Sequence, residues 1–130
     1  MCLKTRHEFA LQSAFHMLPN YSPEMPKECE VVAPGEVLRV RQEKLTSVLH
    51  LVSGRVLLGI REDGQMRHQL GVVEAPFWLD AASALLGEPC AMDMVAQTPV
   101  HLRHVSVEAF RSNCAELPHA VQALLRNLLD

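Results

Sequence analysis

No apolar run in this chain approaches the roughly 20 residues that a membrane-spanning helix needs, and the N-terminus lacks the apolar core of a signal peptide. A cytoplasmic protein is therefore expected. Basic charge is not in excess either: 12 Lys and Arg stand against 15 Asp and Glu, a net charge of -3. That balance leaves no field to hold a phosphate backbone, so the chain alone is not expected to bind nucleic acid. No CxxC pair is present, and Cys2, Cys29, Cys90 and Cys114 are far apart. In a reducing compartment scattered thiols serve as small apolar residues; a zinc or iron–sulfur site drawn from distant segments is the alternative. The seven histidines follow no metal-ligand spacing. His101 and His104 are three apart in an expected strand, which puts them on opposite faces. No Ser/His/Asp or Cys/His order stands out and the carboxylates are dispersed, so no catalysis is expected.

What the chain does have is alternation. With 48% apolar and 21% charged residues it can bury one sizeable core in a single domain. It is organised around Val48 to Arg61, where two apolar strands meet at Gly54 in an expected hairpin and the second ends at a turn signal, Asp63-Gly64. Leu49 and Leu51 share one face; Val56, Leu58 and Ile60 share another, with Arg55 and Arg61 opposite, so each strand should have one face wet. Further strands are expected at Glu30–Ala33, at Val37–Arg41 with basic residues alternating, at Gln65–Val73 with Met66, His68, Leu70 and Val72 on one face, in the stretch that Pro89 and Cys90 lead into and that runs through Ala96, and at Val100–Ser106. Asp80 reads as the N-cap of a short helix through Leu86 that Gly87 stops, and Ser106 as the N-cap of another through Asn113.

The ends are helical in pattern. Leu3, Phe9, Leu11, Ala14, Phe15 and Leu18 predict a short amphipathic helix, and Pro19, Pro23 and Pro26 a loop after it. Leu117, Val121, Leu124 and Leu128, widened by Leu125 and Leu129, form a heptad-like seam still in stride at Asp130. The expectation is an intersubunit helix, a homodimer, and a chain cut before a further domain. The layout is one domain: residues 1–28 a helix and loop, 29–106 a β-roll, and 107–130 C-terminal helices. The class is mainly β, a double-stranded β-helix or jelly roll with flanking helices and a C-terminal dimerisation helix.

The local wording resembles the effector domain of the CRP/FNR family of bacterial transcription regulators. The matching pieces are Pro34-Gly35-Glu36-Val37-Leu38, Leu49-His50-Leu51-Val52-Ser53-Gly54-Arg55-Val56, Phe77-Trp78-Leu79-Asp80, Pro89, Val95-Ala96 and Val107-Glu108-Ala109-Phe110. The resemblance implies a cyclic-nucleotide-binding-type roll that senses a small effector, pairs through its last helix, and contacts DNA only through a C-terminal helix-turn-helix domain that this chain does not contain.

The resemblance also implies where a cyclic phosphate would sit. Relatives that bind cyclic AMP carry Phe-Gly-Glu-Leu, then Pro-Arg-Ser-Ala, using helix N–H groups, a Glu and an Arg. Here the Gly is Leu79, the Glu is Asp80 and the Arg is Cys90, and Ala82-Ser83 are extra residues in the segment between them. Losing the charge-assisted contact costs about 2–5 kcal/mol, two to three decades in affinity. The expected effector is therefore not cyclic AMP. The expected pocket is Trp78, Leu79, Asp80, Ala81, Ser83, Cys90, Ala91 and Met92, and the apolar side chains of Trp78, Leu79, Leu85, Leu86, Met92 and Met94 could either hold a less polar effector or simply fill the roll. An iron–sulfur cluster lacks its close N-terminal cysteines, while haem needs so few ligands that the sequence leaves it open. Two other readings stand beside this one. The first is a cupin-like metal enzyme, for which His50 lacks its companion ligands; the second is a dimerisation module with no ligand.

Overall fold

The computed structural model describes Gln12, residues 29–115, His119 and Gln122. The helix predicted near the N-terminus and the Leu117–Leu129 seam otherwise lie outside the described residues; Gln12, His119 and Gln122 are helical.

Among the described residues, eight strands form two antiparallel four-stranded sheets. The strands are β1 (Cys29–Val32), β2 (Val37–Arg39), β3 (Ser47–Ser53), β4 (Arg55–Glu62), β5 (Gln65–Glu74), β6 (Phe77–Leu79), β7 (Asp93–Ala96) and β8 (Val100–Ser106). One sheet runs β1-β8-β3-β6 and the other β2-β7-β4-β5. Helix α1 (Ala81–Leu86) follows β6, and α2 (Val107–Ala115) follows β8. This is the expected mainly-β jelly roll.

The expected hairpin at Gly54 is corrected. β3 pairs with β6 and β8, and β4 with β5 and β7, so the two strands lie in different sheets. Only Gly54 separates them, too little chain for a two-residue hairpin turn. It is instead the corner where the chain crosses between sheets. Its φ is +102°, and a Cβ there would stand 2.5 Å from the Pro99 carbonyl oxygen. The true hairpin is β4–β5, where Glu62 faces Gln65 across Asp63 (φ 52°) and Gly64 (φ 77°). Left-handed backbone at both central residues is what such a turn requires.

Burial explains two further departures. Leu49 and Leu51 face an inner core with Val56, Leu58 and Leu102, as the alternation predicts. The other face of β3 is dry over its first part: Val48 and His50 are buried, because Trp78 and Phe110 of α2 cover them, while Val52 on the same face is exposed. On β5 the predicted face is interrupted. Register shifts between Leu58/Gly59 and Ile60/Arg61 give β5 extra residues, and the buried residue becomes Val73 rather than Val72. A bulge resets which face a strand presents.

The same effect acts on β2. Leu38 is an extra residue between the pairs Val37↔Val95 and Arg39↔Met94, and the strand ends at Arg39 instead of Arg41. The expected basic-out alternation is thereby inverted: Arg39 is 7% exposed while Val37 and Val40 face solvent. Next to it, Asp93 at the start of β7 ties β4 to the turn that follows β2. Its Oδ1 accepts the Arg41 N–H at 2.8 Å, and its Oδ2 accepts the Arg61 N–H at 2.7 Å.

Candidate functional site

β6 runs from the core into Asp80, and the backbone turns there with φ 66° and ψ 9° before α1 begins. The carbonyl of Asp80 accepts the Ala84 N–H at 2.9 Å, but its side chain makes no capping bond. The N-cap role predicted for that side chain is corrected: the left-handed turn aims the carboxylate away from the helix and towards β2. Gly87 does stop α1, with φ 72° and its N–H on the Ala84 carbonyl.

The partner of Asp80 is Arg39. Its Nε donates to Asp80 Oδ2 at 2.8 Å, its Nη1 to Glu43 Oε2 at 3.4 Å, and its Nη2 to Ser47 at the carbonyl (2.7 Å) and the hydroxyl (2.9 Å). The Asp80 side chain is 1% exposed. Cys90 Sγ completes the corner, 3.4 Å from Asp80 Oδ1 and 2.9 Å from the Met92 carbonyl, where it donates. Burial raises the Asp80 pKa from the ordinary carboxylate value, partly opposed by the Arg39 hydrogen bond and charge. Burial and the neighbouring Asp80 push the Cys90 thiol up to about 12. The corner thus contains a neutral thiol and a paired carboxylate.

The predicted pocket residues do not gather into one lining. Asp80 and Cys90 meet, and Leu79, Cys90 and Met92 are packed into the inner core with Met94. Trp78 and Ala81 face the other way, into the cluster beneath α2, where Trp78 stacks on His50 at 4.3 Å between ring centres. Ser83 is half-buried and Ala91 exposed. A surface cleft of about 470 Å³ lies outside α1, lined by Lys44, Thr46, Ala84, Glu88, Glu108 and Arg111 among others; neither Asp80 nor Cys90 reaches it.

Sequence reasoning missed Arg39, Glu43 and Ser47. The signal available was an Arg within a mostly apolar strand, but its inward aim depends on a bulge that the alternation conceals. It also missed Gln12, whose side-chain amide accepts from the Trp78 N–H at 2.7 Å and donates to its carbonyl at 3.0 Å. That amide supplies both bonds a neighbouring strand would give to the edge strand β6. Among the described residues, no three His, Cys, Asp or Glu side chains come together as a metal site, and no helix is long and apolar enough to cross a membrane.

A family model described as the cyclic nucleotide-binding domain matches residues 29–116. The chain belongs to that family. Solved structures agree on the fold of a cyclic nucleotide-binding domain. A transcriptional regulator from Thermotoga maritima superposes with a TM-score of 0.64 at 16% identity, over 78% of this chain and 79% of that one. A Geobacter metallireducens protein described as cyclic nucleotide-binding gives 0.61 at 16%, over 93% and 89%. An EAL enzyme in its cyclic AMP-bound form gives 0.66 at 16%, over 78% of this chain but only 27% of that chain, so this domain corresponds to about a quarter of that enzyme. No curated protein sequence matches the chain.

Proposed function

We propose that this chain is the effector-sensing and dimerisation part of a CRP/FNR-like transcription regulator whose phosphate corner has been remodelled, so that it answers to an effector other than cyclic AMP. The observation that carries this reading is the Arg39–Asp80 pair at 2.8 Å beside Cys90. An incoming cyclic phosphate would meet the Asp80 carboxylate and an Arg39 whose charge is already engaged, since all three nitrogens of its guanidinium have acceptors. Freeing Arg39 would leave a buried carboxylate unpaired, a loss of about 3–5 kcal/mol. Leu79 adds a buried side chain where the resemblance places glycine. The effector that suits such a corner brings no buried negative charge.

In this reading Leu117, Val121, Leu124, Leu125 and Leu128 pair two copies, and any DNA contact belongs to a domain beyond this chain. Titration calorimetry with cyclic AMP tests the central point. The expected result is no saturable heat below about 1 mM ligand; a Kd of about 10 μM or tighter, roughly -7 kcal/mol of binding, would overturn it. Sedimentation should give a dimer, and a monomer at high micromolar concentration would count against the seam.

A further inference from the structure

The Arg39 corner is not sealed off from solvent on the β3 side. Ser47 Oγ, which accepts from Arg39 Nη2 at 2.9 Å, lies 3.4 Å from His104 Nδ1, and His104 Nε2 lies 2.7 Å from Glu30 Oε1. These side chains come from β1, β8, β3 and β2, so the line of contacts crosses from one sheet to the other. The His104 and Glu30 side chains are 45% and 54% exposed, whereas that of Arg39 is 8% exposed and that of Asp80 1%. One end is open to water and the other is dry.

The hydrogens have one consistent arrangement when the imidazole is neutral. Nε2–H donates to Glu30, Nδ1 accepts the Ser47 hydroxyl hydrogen, and the Ser47 oxygen accepts from Arg39. A proton taken from water onto Nδ1 reverses the middle contact. The Ser47 hydroxyl then loses its acceptor, and its oxygen stands between two donors, both on cations. We propose that Glu30, His104 and Ser47 form a proton-linked latch on Arg39, which carries the charge state of a surface imidazole into the buried corner. Among the described residues, the charged groups that face this line are Glu30 from β1, Arg39 from β2, Glu43 from the following loop, and Asp80 before α1. Arg103, next to His104 on β8, is on the opposite face and bonds His50 Nδ1 at 3.0 Å. The latch would set how firmly the corner is held before any effector arrives; that consequence rests on the function proposed above, but the latch itself is read in the ligand-free protein.

The test is a pH titration of the ligand-free protein by NMR, following the His104 ring protons and the Arg39 Nε–H signal together. The expected result is that the Arg39 signal moves with the same midpoint as His104, and that this movement is lost in Ser47→Ala and in His104→Asn. An Arg39 signal that stays flat while His104 titrates in the unaltered protein overturns the proposal, and that measurement needs no variant to fold. An Arg39 signal that still follows the same midpoint in either variant also overturns it, since another group then carries the effect. Uptake of cyclic AMP would sink the effector reading without touching this result, and a flat Arg39 would sink the latch without touching the effector reading.

Discussion

Two buried aspartates with opposite perturbations give the most direct tests at the level of single residues. Burial raises Asp93, but the Arg41 and Arg61 N–H groups and the two guanidinium charges more than offset this, leaving its pKa below the ordinary carboxylate value. Its stabilising contribution is therefore complete above about pH 4 and is lost as the pH falls through the lowered folded value. Denaturation of Asp93→Asn at pH 7 and pH 3 should show a deficit that shrinks on acidification; an unchanged deficit would mean the carboxylate charge is irrelevant. Asp80 has the reverse sign. Its folded pKa is raised, so the folded state holds the proton more tightly and stability declines as the pH rises from the unfolded value through the folded one. Arg39→Met should cost about 3–5 kcal/mol at pH 7 because it strands the Asp80 charge. Adding Asp80→Asn should recover part of that loss, which a double-mutant cycle measures directly. The thiols offer a chemical check. Cys90 and Cys114 are buried, with burial pushing them up to about 12 and about 11, while Cys29 is exposed. Alkylation of the folded protein at pH 8, mapped by mass spectrometry, should label Cys29 far ahead of the other two.

At the level of elements, the parts that were legible from the sequence are those set by neighbours along the chain. β8 occupies Val100–Ser106 as predicted, and the Ser106 hydroxyl accepts the Ala109 N–H at 3.1 Å as an N-cap should. The Asp63-Gly64 turn is equally local. What escaped was decided by distant contacts: the bulge that turns Arg39 inward, the burial of Val48 and His50 under Trp78 and Phe110, and the crossing at Gly54. In the sequence alone that crossing is indistinguishable from a hairpin, because a glycine between two apolar strands looks the same whether the strands pair or part. Substitution separates the two glycines. Gly54→Ala combines a left-handed backbone with a Cβ 2.5 Å from Pro99 O and 2.9 Å from Val100 Cγ2, whereas nothing lies within 4 Å of a Cβ at Gly64. Gly64→Ala should cost only the conformational term, about 1–2 kcal/mol. Gly54→Ala should cost clearly more, because the Pro99 contact is with rigid backbone. Equal midpoints in urea would indicate that the corner is not packed as described.

For the molecule as a whole, the described residues of the roll pack into two cores rather than one, and the candidate site sits on the boundary between them. Leu79 and Cys90 belong to the inner cluster, while Trp78 and Ala81, one residue to either side of the Leu79–Asp80 step, belong to the cluster under α2. Any ligand seated at Asp80 would therefore brace both cores, and its binding would register as global stability. This makes thermal unfolding a sensitive test of the effector. A ligand present at a hundredfold excess over its Kd stabilises the fold by about 2.7 kcal/mol. In a domain of this size, that shifts Tm by roughly 10 °C. Cyclic AMP at about 1 mM should leave Tm within about 1 °C of the free value, because a corner already holding its own ion pair gives the phosphate no net gain. The triple variant Leu79→Gly, Asp80→Glu, Cys90→Arg reinstates a close backbone approach, a longer carboxylate and a second cation. If the corner alone excludes the nucleotide, the variant should acquire a Tm response to cyclic AMP that the unaltered chain lacks. A variant that folds, keeps Arg39 engaged and still shows no response would place the exclusion in the filled inner core, with Met92 and Met94, instead of at the corner.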